Sequence, residues 1–275
     1  MQFSVVTPSL RNLPWLKLCV ASVADQGVEC EHIIQDAGSD DGTIEAMQGD
    51  PRVRFFVEKD NGMYDAINRG WRKSCGDIVA HLNCDEQYLP GALEAVWKFF
   101  QEHPDVDALF SDAVVVNARG EYLFHRKTQL PLEWHTRVCP LSTLTCATFF
   151  RRRLLERGFY FDTRYRYIGD RDQVVKMLNA NVRMAVMRRF TSVFALTGHN
   201  ISLNPDVMEE TARFLKLTPQ WIRSLKPLIL FHHRMRRVLG GIYSQEPFRY
   251  SVFTPQSPAE RVEHQVSEPT GRWKW

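Results

Sequence analysis

The feature that most constrains this chain is the alternation of β-branched runs with helix-patterned stretches through its first hundred residues. Phe3–Thr7 reads as a strand ended by Pro8. Trp15, Leu18, Cys19 and Ser22 fall at helical spacing and predict a helix from about Pro14 to Asp25. A short strand at His32–Ile34 runs into the acidic, glycine-rich turn DAGSDDGT, and a third, Val53–Val57, is closed by Asp60-Asn61-Gly62. Met63–Ser74 reads as a helix with Ile67 and Trp71 on one face and an Asp65–Arg69 pair on the other. Gly76 stops it, Ile78–Leu82 supplies a fourth strand and Leu93–Gln101 a further helix. Strands alternating with helices of this length imply an α/β fold, with a mostly parallel sheet flanked by helices on both faces.

Past about residue 105 the rhythm changes. Leu109–Asn117 and Tyr122–His125 read as strands around a turn at Arg119-Gly120. Thr148–Phe150, helices near Arg152–Arg157 and Asp172–Asn179, and a strand Val182–Val186 follow. From Pro205 the chain turns helical, basic and apolar, so a boundary falls near residue 200. Phe248–Trp275, rich in proline and aromatics, reads as a docking segment, an oligomer contact or a partly disordered end. A length of 275 residues is enough for one sizeable core with a small appendage. The net charge of +3 gives no footing for a nucleic-acid partner. Six scattered cysteines without a CxxC pair read as a reduced, cytosolic complement. No signal-peptide pattern and no bilayer-length apolar run is present, so the expected location is cytoplasmic, peripheral at most to the inner face of the membrane.

Open parallel sheets bind ligands beyond the carboxyl ends of their strands. Here those ends carry Asp36, Asp60 and Asn83-Cys84-Asp85-Glu86. Any one of them suits an ordinary turn or helix cap. Several acids along one rim repel one another unless a cation or hydrogen-bond donors offset them. Asn83-x-Asp85-Glu86 directly follows the apolar strand IVAHL, and adjacent oxygen ligands there suit Mg²⁺ or Mn²⁺. Such an ion would bridge a diphosphate. Neither a P-loop nor a GxGxxG is present, which argues against ATP hydrolysis and nicotinamide chemistry.

The string SVVTPSL…SVADQ…IIQDAGSDDGT…VEKDNGMYDAINRG…GDIVAHLNCDEQYLPGAL resembles the family 2 glycosyltransferases of GT-A fold, above all those of bacterial polysaccharide and O-antigen assembly. The resemblance spans residues 3 to about 198. It implies a nucleotide-sugar half to about residue 105 and an acceptor half from 106 to 200, with 201–275 as a helical basic extension and tail. It further implies that Thr7, Pro8 and Ser9 end the first strand beside the nucleotide. Asp36 would hydrogen-bond the base, usually uracil, and Asp60 and Gly62 would line the base and ribose pocket. Asn83 and Asp85 would occupy the family's DxD position, with Asp85 and Glu86 as metal ligands. The chain departs from the pattern at Asn83, where an acid is usual, and at Glu86, where Asp is common. Asn83 can still accept a hydrogen bond from a ribose hydroxyl, and the primary metal ligand stays open between Asp85 and Glu86. A further departure is Thr145-Cys146-Ala147-Thr148, where related chains often carry a histidine.

Tyr167-Ile168-Gly169-Asp170-Arg171-Asp172 resembles the family's acidic motif, which makes Asp170 the catalytic base and leaves Asp172 to cap the helix that follows. The implied reaction is inverting, with a nucleotide-sugar donor and a saccharide or polyprenyl-diphosphate-linked acceptor. Arg69 and Arg171 are secondary candidates for assisting the phosphates, although each also reads as a surface charge. From Arg213 to Gly241 cations alternate with Trp, Leu, Ile and Phe and no acid occurs. Such a helix can lie in an anionic membrane surface or pack on the catalytic domain with its basic face in water. Three rival classes are a non-catalytic nucleotide- or saccharide-binding protein of the same fold, a sugar nucleotidyltransferase and an NAD-linked oxidoreductase. The second lacks its basic glycine-rich signature at VVTPSLRN, and the third lacks its glycine fingerprint.

Overall fold

The computed structural model describes residues 1–198, 200 and 204–271, so 201–203 and 272–275 of the expected C-terminal extension lie outside the described residues. The first hundred residues build β1 (Phe3–Ser9), α1 (Leu13–Ala24), β2 (Cys30–Asp36), α2 (Thr43–Met47), β3 (Arg54–Val57), α3 (Met63–Lys73), β4 (Ile78–His81), β5 (Glu86–Tyr88) and α4 (Ala92–Glu102). Strands β3-β2-β1-β4 lie side by side and all parallel. Phe3, Val5, Val6, Ile33 and Ile34 are fully buried, as strands covered on both faces require.

The second half is β6 (Ala108–Asn117), β7 (Tyr122–Arg126), α5 (Glu133–Val138), β8 (Thr148–Arg151), α6 (Arg153–Glu156), α7 (Gly169–Asn179) and β9 (Met184–Leu196). It extends the same sheet as β8-β6-β9-β5, with β7 branching from β6. Here β9 runs parallel to β6, while β8, β7 and β5 are antiparallel to their neighbours. The α/β class and the flanking helices stand, but the sheet is mixed. The strand expected at Val182–Val186 runs on to Leu196. Its pairing skips from Met187 opposite Ser111 to Phe190 opposite Asp112, a bulge at Arg188-Arg189 that interrupts the alternation a strand would show in sequence.

The remaining elements are α8 (Asp206–Lys216), α9 (Gln220–Ser224), α10 (Lys226–Leu239), β10 (Phe248–Thr254) and β11 (Ser257–Val266). The last two pair as an antiparallel hairpin. Tyr250, Val252 and Val266 pack on Leu89, Val114, Val116, Val193 and Ala195, so this hairpin covers the outer strands of the sheet. The Gln87 amide donates to the Phe253 carbonyl at 2.9 Å and accepts the Phe253 N–H at 2.9 Å, and Arg261 forks onto Asp25 at 2.6 and 2.8 Å. Burying each large apolar side chain of this kind contributes about 1.5–3 kcal/mol over leaving it exposed. Among the described residues no helix is long and apolar enough to cross a membrane.

Candidate active site

A cleft of about 730 Å³ opens at the carboxyl ends of β1, β2 and β3. Leu10 and Ala37, each just past a strand, form one wall, and Lys59 through Met63 form another. Arg166, Tyr167, Gly198, Asn200 and Asn204 close it from the second half of the chain. Parallel register sets the rim, since Ser9 sits opposite Asp36 and Asp36 opposite Val57.

Along this rim the polar groups divide into those that shape the loops and those left available. Thr7 is fully buried and its hydroxyl lies 2.8 Å from Nε2 of His32, so its side chain faces the core. Pro8 is half-buried, and its carbonyl accepts the Cys84 thiol at 3.2 Å, tying the turn after β4 to the end of β1. The Ser9 hydroxyl is enclosed without a partner. Asp36 is fully buried and closes the next loop, accepting the Gly38 and Ser39 N–H groups at 2.9 and 2.7 Å and the Ser39 hydroxyl at 2.7 Å. Asp60 accepts the Gly62 N–H at 2.8 Å, and Gly62 has φ +112°, a conformation L side chains rarely adopt. Burial raises the Asp60 pKa above the usual carboxylate range.

The Asn83–Glu86 turn resolves into three roles. Asn83 Oδ1 is enclosed without a partner, an acceptor awaiting a donor. Asp85 is half-buried, takes the Asn200 amide on Oδ2 at 3.0 Å, and is pushed up to about 6 by burial. Glu86 belongs to β5 and is fully buried, with Oε2 accepting the Asn83 N–H at 2.7 Å and Oε1 unpartnered. Burial, and then the charge of Asp85, push it up to about 8. A carboxyl sealed from solvent and tied to the Asn83 N–H is poorly placed to reach a cation in the cleft. Of the two expected ligands only Asp85 faces accessible space, next to the cleft-lining Asn200. Among the described residues no three His, Cys, Asp or Glu side chains are grouped to hold a metal ion alone. An ion here fits if a ligand's own oxygens complete its coordination.

Asp170 lies in the first turn of α7, which begins at Gly169, three residues earlier than expected. Neither Asp170 nor Asp172 is the residue that precedes the helix; that place is taken by Ile168, and Asp172 instead pairs with Lys176 at 2.7 Å. Oδ1 of Asp170 accepts the Arg171 N–H at 2.8 Å and, more weakly, the Tyr64 hydroxyl at 3.4 Å. A Cβ on Gly169 would come within 2.7 Å of the Tyr64 ring, so glycine is what lets α7 approach α3 this closely. Burial raises the Asp170 pKa against the opposing pull of the Arg171 N–H and charge. Arg171 is itself half-buried, with Nε enclosed and unpartnered, not the surface charge its type suggested. Arg69 is committed elsewhere, to Asp65 at 3.0 Å and Glu58 at 3.7 Å.

Three participants escape a reading by local pattern. Tyr64 reaches Asp170 across 106 residues of sequence. Asn200 joins Asp85 to the cleft. Glu210, buried on α8, accepts the N–H groups of Arg166, Tyr167 and Ile168 at 2.7, 2.7 and 2.9 Å, and so fixes the segment that enters α7. A lone Glu in a helix carries no local signal for such a contact.

The family model described as Glycosyl transferase family 2 matches residues 4–159, more than half of the chain. A PGL/p-HBAD biosynthesis glycosyltransferase of Mycobacterium bovis is 25% identical over 249 residues, covering 86% of this chain and 92% of that protein. The fold is similar to S. aureus TarS 1–349 in complex with UDP-GlcNAc, with a TM-score of 0.60 at 20% identity over 88% of this chain and 75% of that one. It is also similar to the mannosyltransferase PcManGT from Pyrobaculum calidifontis in complex with GDP-Man and Mn²⁺, with a TM-score of 0.55 at 16% identity over 85% and 75%. The matched span begins in β1 and runs through the strand-end acids Asp36, Asp60 and Asp85, and by that match this protein is a member of glycosyl transferase family 2.

Proposed function

We propose that the protein transfers a sugar from a nucleoside-diphosphate sugar, a UDP-sugar in the first instance, to an acceptor hydroxyl in glycan assembly, with inversion at the anomeric carbon. The observation that carries this reading is one arrangement. Asp60 and, through Asn200, Asp85 border a cleft whose opposite wall, Arg166-Tyr167, leads directly into the turn bearing Asp170. TarS complexes with UDP-GlcNAc and the PcManGT complex with GDP-Man and Mn²⁺ support a nucleotide-sugar donor and a divalent ion.

On the donor side, the unpartnered Ser9 hydroxyl and Asn83 Oδ1 suit ribose hydroxyls, and Asp36 shapes the loop beside the base. Mg²⁺ or Mn²⁺ held by Asp85 would offset charge on the departing diphosphate. Glu86 acts by holding the Asn83 N–H, which fixes the turn presenting Asp85. On the acceptor side, Asp170 takes the hydroxyl proton as that oxygen bonds to the anomeric carbon and the bond to the diphosphate oxygen breaks. Its raised pKa suits a base that must keep the proton it receives. One displacement turns an α-linked donor into a β-linked product. The acceptor is a saccharide or a polyprenyl-diphosphate-linked glycan.

The test is a panel of UDP-, GDP- and dTDP-sugars with Mg²⁺ or Mn²⁺, read first by thermal stabilisation and then by the anomeric configuration of the product. A β-linked product from an α-linked donor is the expected outcome. A retained configuration, or stabilisation indifferent to nucleotide and metal, overturns the reading.

A further inference from the structure

Helices α9 and α10 carry two apolar faces, and the fold uses one of them. Ile222 and Ile229 pack on Val138 and Cys139 at the end of α5, and His233 meets His135 on the same helix. Leu228, Phe231, Met235 and Val238 follow at spacings of three, four and three, which places them along a separate stripe of α10. They stand exposed at 66, 64, 39 and 60%. Trp221 and Leu225 prolong the stripe into α9, and Leu239 ends it. A contiguous exposed patch of this kind marks an interaction surface.

Charge selects the occupant. From Thr211 through Gln245 there is no Asp or Glu and there are seven Lys or Arg residues. Lys216, Arg223, Lys226 and Arg234 are exposed on the same run of helices, α8 to α10. A second copy docked through the same face would set the seven cations of this segment against seven more, with no acid in the segment to offset them. An anionic bilayer supplies both complements, hydrocarbon for the Leu, Phe and Val side chains and phosphates for the flanking cations. Trp221 at the edge of the stripe suits the headgroup level. We propose that the outer face of α9 and α10 docks on an anionic lipid bilayer, with the stripe buried at the headgroup boundary. The face lies one helix layer from the catalytic turn, because α10 packs on α5 and α5 packs on α7, which carries Asp170.

The experiment is flotation of the full chain with phosphatidylcholine vesicles, with and without phosphatidylglycerol, at low and high salt. Two variants accompany it: Leu228→Ser/Phe231→Ser/Val238→Ser, and Lys226→Glu/Arg234→Glu. All five positions are exposed, and metal-dependent stabilisation by UDP reports in parallel on the fold and the donor site. The proposal predicts recovery with anionic vesicles about 10-fold above neutral ones, loss of that excess at high salt, and a drop of about 10-fold or more in each variant. Equal recovery on anionic and neutral vesicles overturns it, as does a triple variant that still binds. Sedimentation of the wild-type chain as a dimer that the triple variant converts to monomer assigns the stripe to self-association and also overturns it. Failed vesicle binding with intact UDP stabilisation would leave the glycosyl-transfer reading in place, so the two fail separately.

Discussion

The rim of the parallel sheet and the outer side of α10 place the wrong kind of atom in opposite environments. Around the cleft, carboxyl groups and unpaired acceptors are drawn into the protein: Glu86 is sealed, Asp85 and Asp170 are half-buried, and the Ser9 hydroxyl and Asn83 Oδ1 have no partner. On α10, large apolar side chains are held out in water. Both arrangements cost free energy in the isolated chain, through desolvated charge at the rim and hydrated hydrocarbon on the helix. A ligand that repairs the rim is charged and oxygen-rich, whereas a surface that repairs the helix is apolar with anionic edges. The contrast separates chemistry from attachment, and it can be broken at either end.

The largest expected effect lies at Asp170, the proposed base. Asp170→Asn should lower turnover by about 10²–10⁴-fold with donor binding unchanged, measured as kcat alongside UDP-dependent thermal stabilisation. Near-normal turnover would remove Asp170 from the reaction and leave the cleft as a binding site only.

Next comes the donor side. Asp85→Asn should abolish metal-dependent stabilisation by UDP, which for wild type at about 100 times Kd amounts to roughly 2.7 kcal/mol. Glu86→Gln keeps the size of that buried side chain and an oxygen to accept the Asn83 N–H, and should retain most of that stabilisation. Equal loss in both variants would return Glu86 to the metal.

Glu210 tests whether the C-terminal helices and the turn bearing Asp170 are mechanically joined. Glu210→Gln weakens three backbone N–H contacts ahead of α7 and should lower kcat by roughly 10-fold while leaving the donor KM unchanged, since small misplacements of a reacting group are costly. A fall in thermal stability with unaltered kcat would confine Glu210 to structure.

The smallest effect concerns pH at the junction of α5 and α10. His135 Nδ1 lies 3.2 Å from the Arg236 guanidinium and Nε2 lies 2.9 Å from Nδ1 of His232. Because Arg236 can only donate, the His135 ring accepts there and must be neutral, with its proton on Nε2. Burial pushes both His135 and His233 down to about 4. A histidine whose folded pKa is depressed favours folding above its unfolded value of about 6.5, and that contribution is lost as pH falls toward 4. The midpoint of thermal unfolding should therefore drop by a few degrees, about 3 °C, between those limits, and His135→Phe should flatten the slope. A profile unchanged by that substitution would show that the junction does not report the titration.

Much of this was legible in the sequence because its determinants are local. The parallel order of β1 to β4 follows from short apolar runs with helices between them, and the acids at strand ends fall where such sheets bind ligands. The DxD-like turn was visible as a string, but the different burial of Asp85 and Glu86 was not. It depends on the antiparallel pairing of β5 with β9, which turns Glu86 into the interior. The hairpin of β10 and β11 was missed for a related reason. Its buried residues answer strands more than fifty residues away, and its own alternation is diluted by Pro, Ser and Arg.

What the sequence determined by itself was the layered α/β architecture, the polar strand ends at which the cleft opens and the cationic, apolar character of the helices after residue 205. Those properties reside in periodicity and residue type. Tertiary structure alone decided which carboxyl meets solvent, which tyrosine touches Asp170, and which of two apolar faces on α10 stays uncovered. Burial and hydrogen-bond partnership are properties of pairs of distant residues, and a chain read one window at a time holds no record of them.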